Sequence, residues 1–230
     1  KSRNQRTLLR RNGNDRAGEA LDAMASLLTR IEQVASIEEL LGLEGSLSAA
    51  YFSTWSSMIK ASRMADGFAF HERNRRPPRD PVNAMLSFGY ALLCKECTVA
   101  LLAEGLDPWW GLYHRPRHGR PALALDCMEE FRPLIVDSAV LNAINTQMVG
   151  VDDFLTTHAG CLMKPPARKA STSPANSVWI LLWLALMGFR DASSDVQIPH
   201  VEGVFLDEGA AGFDLVAHQD GEGLVGAYGV

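Results

Sequence analysis

Long hydrophobic runs are scarce in this chain of 230 residues. The longest, Val178–Phe189, spans twelve residues, whereas a bilayer-spanning helix needs roughly 17–25, so no transmembrane segment is implied. Cysteine is equally sparse. Four residues (Cys94, Cys97, Cys127, Cys161), with no secretory pattern ahead of them, argue against a disulfide framework and for a reducing, cytoplasmic setting. The chain opens at Lys1 on an amphipathic pattern, so no targeting peptide is expected. Several catalytic signatures are missing too: there is no GxSxG, no Walker loop, no Rossmann glycine pattern and no HExxH. Positive charge is nearly lacking from residues 170–230, which hold one Arg against eight acids, whereas residues 1–169 hold 21 Lys+Arg against 19 Asp+Glu. The overall charge of −5 therefore conceals a mildly basic body and an acidic tail.

What is present suits a globular protein: 47% hydrophobic and 21% charged residues exclude disorder, collagen and coiled-coil repeats. Residues 3–34 read as helix, with Leu8, Leu9, Leu21, Met24, Leu27, Leu28 and Ile31 on three- and four-residue steps. Ser36 and Glu39 form a capping box for a short helix ending near Gly42, and Leu47, Tyr51, Trp55 and Met58 place a further helix after Gly45. Residues 66–80, with Arg73, Arg75, Arg76, Arg79 and Pro77-Pro78, read as a hydrated basic loop. Asp80-Pro81 starts a buried helix that Gly105 ends. Residues 106–121 are irregular, and their Trp109 and Trp110 are expected to pack against something. Helix resumes over 122–131, a boundary or kink is expected at Arg132-Pro133, and 137–146 continue as helix. A short β-hairpin around Ala159-Gly160 is expected within residues 152–169. The fold class is mainly α, with a helical domain over 1–169 and a divergent Gly-rich acidic tail over 170–230.

Among candidate functional residues, Glu44 reads by spacing alone as a solvated carboxylate at a helix start. Asp126 and Glu129, three apart on a helix, share one face, and the apolar neighbours Leu123, Leu125, Met128 and Phe131 leave little of that helix for solvent. Two acids on one face usually mean solvent, and the apolar neighbours add a metal or a buried basic partner as the alternative. His114 lies in a loop with Arg115, Arg117 and Arg120, either as a surface histidine or as a ligand facing phosphate. Cys94-Lys95-Glu96-Cys97 is a lone pair of thiols within an apolar helix, better suited to core than to zinc.

Several motifs then fall into one order: Asn4-Gln5-Arg6; Leu43-Glu44-Gly45 with Tyr51-Phe52; Pro81-Val82-Asn83-Ala84; Gly105-Leu106-Asp107-Pro108 leading to Gly111-Leu112-Tyr113-His114; and Leu125-Asp126-Cys127-Met128-Glu129-Glu130-Phe131-Arg132-Pro133. Over residues 1–169 this series resembles the Cas-one family, the integrases that insert new spacers into CRISPR arrays. The resemblance implies a multi-helical catalytic domain that binds Mg²⁺ or Mn²⁺ through Glu44, His114 and Glu129, with Asp126 as a nearby second acid. It implies DNA contacts at Asn83, Arg132 and Lys164, a homodimer, the small Cas-two protein as partner, and double-stranded DNA, both prespacer and CRISPR repeat, as substrate. Hard oxygen ligands suit Mg²⁺ and Mn²⁺, and one imidazole is compatible with Mn²⁺. The implied chemistry is in-line attack of a DNA 3′-hydroxyl on a phosphodiester, which needs no ATP.

Two regions depart from the family. Its N-terminal β-rich domain has no counterpart here, because the chain opens at residues resembling the linker into the catalytic domain. After Cys161–Ala170 the family continues into basic and aromatic helices, whereas this chain turns acidic and glycine-rich, as a truncated or frame-shifted reading would. The tail is therefore expected not to form the family's closing helices. A non-catalytic helical DNA-binding or scaffold fragment is the alternative reading, and a helical hydrolase of small phosphates the third.

Overall fold

Gly13 and Asn14 decide how the chain starts. The pattern predicts one helix over 3–34, but the structure, a computed structural model describing residues 1–74, 77–165, 204–206 and 215–217, divides it. Helix α1 (Ser2–Asn12) stops at Gly13, where a Cβ would meet the Leu9 carbonyl at 2.7 Å and Ala17 Cβ at 2.9 Å. The Asn14 side chain accepts from Arg16 N and caps a 3-10 turn (Asp15–Ala17) that leads into α2 (Gly18–Thr29). The break lets α2 pack on α1 with Leu9 and Met24 fully buried.

Helix α3 (Ile37–Ser53) begins as expected, with Ser36 Oγ accepting from Glu39 N at 3.2 Å. The Glu39 carboxylate reaches back one residue further than a capping box requires, to Ala35 N at 2.9 Å. The predicted stop near Gly42 is not there. Leu43, Leu47 and Tyr51 are buried at four-residue steps, and that burial outweighs the roughly 1 kcal/mol each glycine costs a helix. Glu44 thus sits inside one continuous helix rather than between two.

After a 3-10 turn (Trp55–Met58) and the short α4 (Ala61–Ala65), Arg63 is buried and donates to the carbonyls of Ile144 at 2.9 Å and Val149 at 2.6 Å. Helix α5 (Pro81–Ala103) is capped by Asp80, whose carboxylate accepts from Asn83 N at 2.8 Å. It is long and apolar enough to cross a bilayer, but its buried residues, among them Val82, Met85, Leu86 and Leu93, make it the central core helix here. Against it lie α6 (Ala122–Met128), a π-helical segment (Arg132–Asp137) and α7 (Ser138–Asn145). At the expected kink the helix widens instead of breaking. Pro133 has no N–H for an ordinary helical bond, and the π geometry accommodates the gap.

Strands β1 (Phe154–Thr157) and β2 (Gly160–Met163) pair antiparallel, Phe154 opposite Met163 and Thr157 opposite Gly160, where the hairpin was expected. Cys161 N donates to the Pro78 carbonyl at 2.7 Å, and at Gly160 (φ +130°) a Cβ would strike Pro77. The hairpin is thereby pinned to the loop before α5. A second antiparallel pair, β3 (Val204–Leu206) and β4 (Leu215–Ala217), lies in the acidic tail. The remainder of residues 170–230, including the run Val178–Phe189, lies outside the described residues, as do Arg75 and Arg76. The described chain is mainly α with one small hairpin in its body, as the sequence predicts.

Candidate metal centre

Three separate segments deliver the acidic and imidazole groups. Glu44 comes from the middle of α3, Glu129 from the turn that closes α6, and His114 from the irregular loop between α5 and α6. Their side chains are 28%, 16% and 17% exposed, so the site is sunken but open. His114 Nε2 lies 4.0 Å from Glu129 Oε1. Between the two glutamates sits a cation, the Lys1 ammonium, hydrogen-bonded to Glu44 and 2.9 Å from Glu129 Oε2. Burial pushes the Glu44 carboxyl up, but the charge and hydrogen bond of Lys1 and the Ser48 hydroxyl hold it below the usual carboxylate range. Among the described residues, no three His, Cys, Asp or Glu side chains stand close enough to enclose a metal ion, the Lys1 ammonium lying between Glu44 and Glu129.

Asp126 has a different task from the metal ligation expected of it. Its Oδ2 accepts from the backbone N–H groups of Leu112 at 2.7 Å and Tyr113 at 2.9 Å, and its Oδ1 from His114 N at 2.9 Å. Oδ1 also meets His114 Nδ1 at 2.7 Å. Four contacts spend the carboxylate. Burial raises Asp126, but these donors bring it below its ordinary value. The result is a loop tied to α6 and an imidazole held by Nδ1, so that Nε2 is the nitrogen turned toward Glu129. Tyr113, edge-on to His114, is pushed up to about 12 by burial and by the nearby carboxylates of Glu44, Glu129 and Asp126.

Arg132 lies behind Glu129. Its terminal nitrogen is 3.2 Å from Glu129 Oε1, and its Nε is buried without a hydrogen-bond partner. Glu129 Oε2 is likewise buried without a hydrogen bond, since the Lys1 ammonium faces it as a charge only. The centre therefore presents one acceptor suited to a cation beside one donor suited to an anion.

The other expected DNA contacts are placed differently. Asn83 is fully buried and cannot touch DNA: its amide donates to the Glu72 carbonyl and to Asp80, and its oxygen accepts from Arg73 and Asn74 N. Its work is to shape the loop before α5. Lys164 is exposed, with Nζ donating to the Asp152 carbonyl at 2.7 Å. Arg73, expected in a hydrated loop, points inward to Asn83 and Ser87 and lies against Tyr90. Trp110, expected to pack against something, is 71% exposed, on a loop rigidified by Asp126. All four cysteines are free, and burial pushes their thiols up, Cys97 to about 12, which fits the core reading.

Sequence reasoning missed Lys1, although it shares a helix face with Asn4, whose side chain donates to the Glu130 carbonyl beside Glu129. It also missed Asp137. The signal was a lone acid at the end of the apolar run Leu134-Ile135-Val136, which demands a buried partner.

Comparison with known proteins bears on this geometry. The profile of the family described as CRISPR associated protein Cas1 matches residues 1–175. A CRISPR-associated exonuclease Cas4/endonuclease Cas1 fusion of Geobacter sulfurreducens is 51% identical over 174 residues, covering 72% of this chain and 31% of that protein. A CRISPR-associated endonuclease Cas1 of Thermus thermophilus is 45% identical over 154 residues, covering 67% of this chain and 44% of that one. This chain thus spans less than half of either relative. Among solved structures, a casposase bound to integration product is 28% identical with a TM-score of 0.59, covering 69% of this chain and 46% of that chain. A partial Cas6-RT-Cas1–Cas2 complex is 26% identical with a TM-score of 0.65, covering 81% and 55%. With its family profile running through α1 to β2 and through every segment of the centre, the chain belongs to the Cas1 family.

Proposed function

We propose that this chain carries the catalytic portion of a divalent-metal-dependent DNA endonuclease and integrase of CRISPR spacer acquisition. The observation that supports this reading is a cation, the Lys1 ammonium, held between Glu44 and Glu129 from two separate segments, with His114 Nε2 4.0 Å from Glu129 on a third. A cradle that accepts an ammonium between two carboxylates suits a divalent cation once Lys1 withdraws, and the donor set of two carboxylates and one imidazole suits Mn²⁺ or Mg²⁺. Bound there, the metal would supply Lewis-acid polarisation of a phosphodiester.

The chain's own residues do the rest. Glu44 and Glu129 would hold the cation and His114 would offer Nε2 while Asp126 keeps Nδ1 engaged, with the Arg132 guanidinium supplying positive charge behind Glu129. A DNA 3′-hydroxyl then displaces another 3′-oxygen at phosphorus, one phosphodiester replacing another. Water in its place gives nuclease activity. The substrate is double-stranded DNA, both prespacer and CRISPR repeat, and the partners are a Cas2 subunit and a second copy of the chain, by similarity to the Cas2-containing complex and to the casposase on its integration product. Residues 1–169 form the catalytic domain and 170–230 a separate tail, a division supported by the charge step and by the profile's end at residue 175. The free thiols suit a reducing cytoplasm.

The test is cleavage and strand transfer of a labelled branched DNA with Mn²⁺, comparing the chain with Glu129→Ala. Activity abolished by the substitution is the expected outcome. Inactivity of both proteins, with salt-sensitive DNA binding retained, selects the non-catalytic scaffold reading, which the Lys1 ammonium between the glutamates favours.

A further inference from the structure

Beneath the centre lies a polar cluster that the ligand set does not use. The Tyr90 hydroxyl donates to Asp137 Oδ1 at 2.5 Å, and Asp137 is fully buried. Asp137 Oδ2 accepts from the Tyr51 hydroxyl at 2.9 Å, and that hydroxyl accepts from Trp55 Nε1 at 3.1 Å. The Tyr90 ring is thus tethered at its hydroxyl to a carboxylate that is itself fixed from its other oxygen. Against the same ring lies the Arg132 guanidinium, Cζ 5.0 Å from the centroid, with Arg73 Cζ at 5.5 Å.

The π-helical segment makes this arrangement reachable. Arg132 and Asp137 are five residues apart, which in an α-helix would set them about 140° apart around the axis. Closure from residue i to i+5 narrows that angle, and a single tyrosine meets both, Arg132 at its ring face and Asp137 at its hydroxyl.

The consequence falls on Glu129. An arginine beside a carboxylate favours a two-pronged pairing that engages both oxygens. Here Arg132 meets Oε1 alone, at 3.2 Å, and Oε2 is left for the cation. We propose that Tyr90 is a positioning residue of the centre: its tethered ring face fixes the plane of the Arg132 guanidinium, which holds Glu129 Oε1 and keeps Oε2 turned to the cation site. This inference rests on the reading of Glu44, His114 and Glu129 as metal ligands.

The test is Mn²⁺ binding to the full chain by calorimetry, with thermal melts in parallel, for Tyr90→Leu, Tyr90→Phe and Glu129→Gln. Tyr90→Leu removes the ring face and is expected to weaken Mn²⁺ binding about 5- to 20-fold, the range of a partly desolvated cation–π contact. Tyr90→Phe keeps the face and is expected to lose less than threefold. A Tyr90→Leu protein that melts lower but binds Mn²⁺ within twofold of the parent overturns the inference and makes Tyr90 a packing residue. Should Glu129→Gln itself leave Mn²⁺ binding unchanged, the ligand reading fails and the inference with it, whereas a Glu129→Gln loss beside an unmoved Tyr90→Leu sinks the inference alone. If Tyr90→Leu does not fold, the cycle of Tyr90→Met, which also lacks the ring face, with Arg132→Lys decides: coupled losses in Mn²⁺ affinity are expected, and additive ones overturn the proposal.

Discussion

Asp126 at the rim of the centre and Asp137 at its floor are the same residue shifted in opposite directions. Asp126 accepts three backbone N–H groups and faces an imidazole nitrogen, and these donors hold it below its ordinary value despite burial. Asp137 is more deeply buried, and burial pushes it up to about 6 against two phenolic hydroxyls and the charges of Arg132 and Arg73. The difference teaches that hydrogen-bond donors outweigh burial at the partly exposed rim, whereas at the fully buried floor desolvation outweighs two donors and two nearby cations. The rim acid is a charged staple for a loop. The floor acid is a hinge of hydrogen bonds that titrates close to neutrality.

Removing the staple should have the largest effect. Asp126→Ala leaves three loop N–H groups without their acceptor and is expected to cost on the order of 3 kcal/mol in urea denaturation at pH 7, with the His114 ring signal in NMR losing its single environment. A loss below about 1 kcal/mol would show that the loop is held by packing instead.

The floor acid sharpens the contrast through pH. Its folded value, about 6, lies above the ordinary 3.8. Between those values the native state binds more protons than the unfolded one, so stability falls as pH rises from about 4 to 6 and is level above. Relative to Asp137→Asn, which cannot ionise, the parent should lose up to about 3 kcal/mol across that window, read by urea denaturation at pH 4 and pH 7. A parallel pair of stability curves would refute the raised value. Tyr51, Tyr90, Arg73 and Arg132 face Asp137 and are unchanged in both proteins.

The smallest effect belongs to Arg115, which begins the basic run after His114 and pairs with Glu38 at 2.7 Å, both side chains well exposed. Arg115→Ala should leave the melting temperature unmoved, because solvent and salt screen such a pair. A drop of several degrees would mean that the rim depends on surface charge as well as on Asp126.

Much of this was readable from residue order. Asp80-Pro81 and Ser36–Glu39 announce their helices because capping is a local matter, settled within four residues. The hairpin around Gly160 is local for the same reason. Glu44, His114 and Glu129 were legible as a motif series, but the Lys1 ammonium between the two glutamates depends on helix packing that no spacing states. Where reading failed, a tertiary force outbid a local one: the buried face of α3 carried it through Gly42 and Gly45, and the contact between Gly13 and Ala17 broke a stripe that looked continuous. Asn83 and Asp126 were assigned outward roles because a polar side chain in a motif looks like a ligand. Both turned out to serve backbone amides, a partnership that has no signature along the chain.

The π-helical segment also acts as a phase shifter. One added residue in a turn rotates everything after it by about 100° relative to an unbroken α-helix. Helix α7 inherits that rotation, and with it Val140, Leu141, Ala143 and Ile144 face the core. The stretch Arg132–Asp137 thus sets the angular register of the helix that follows as well as the spacing of two charges, so the residue count between Phe131 and Ser138 is fixed by two independent demands.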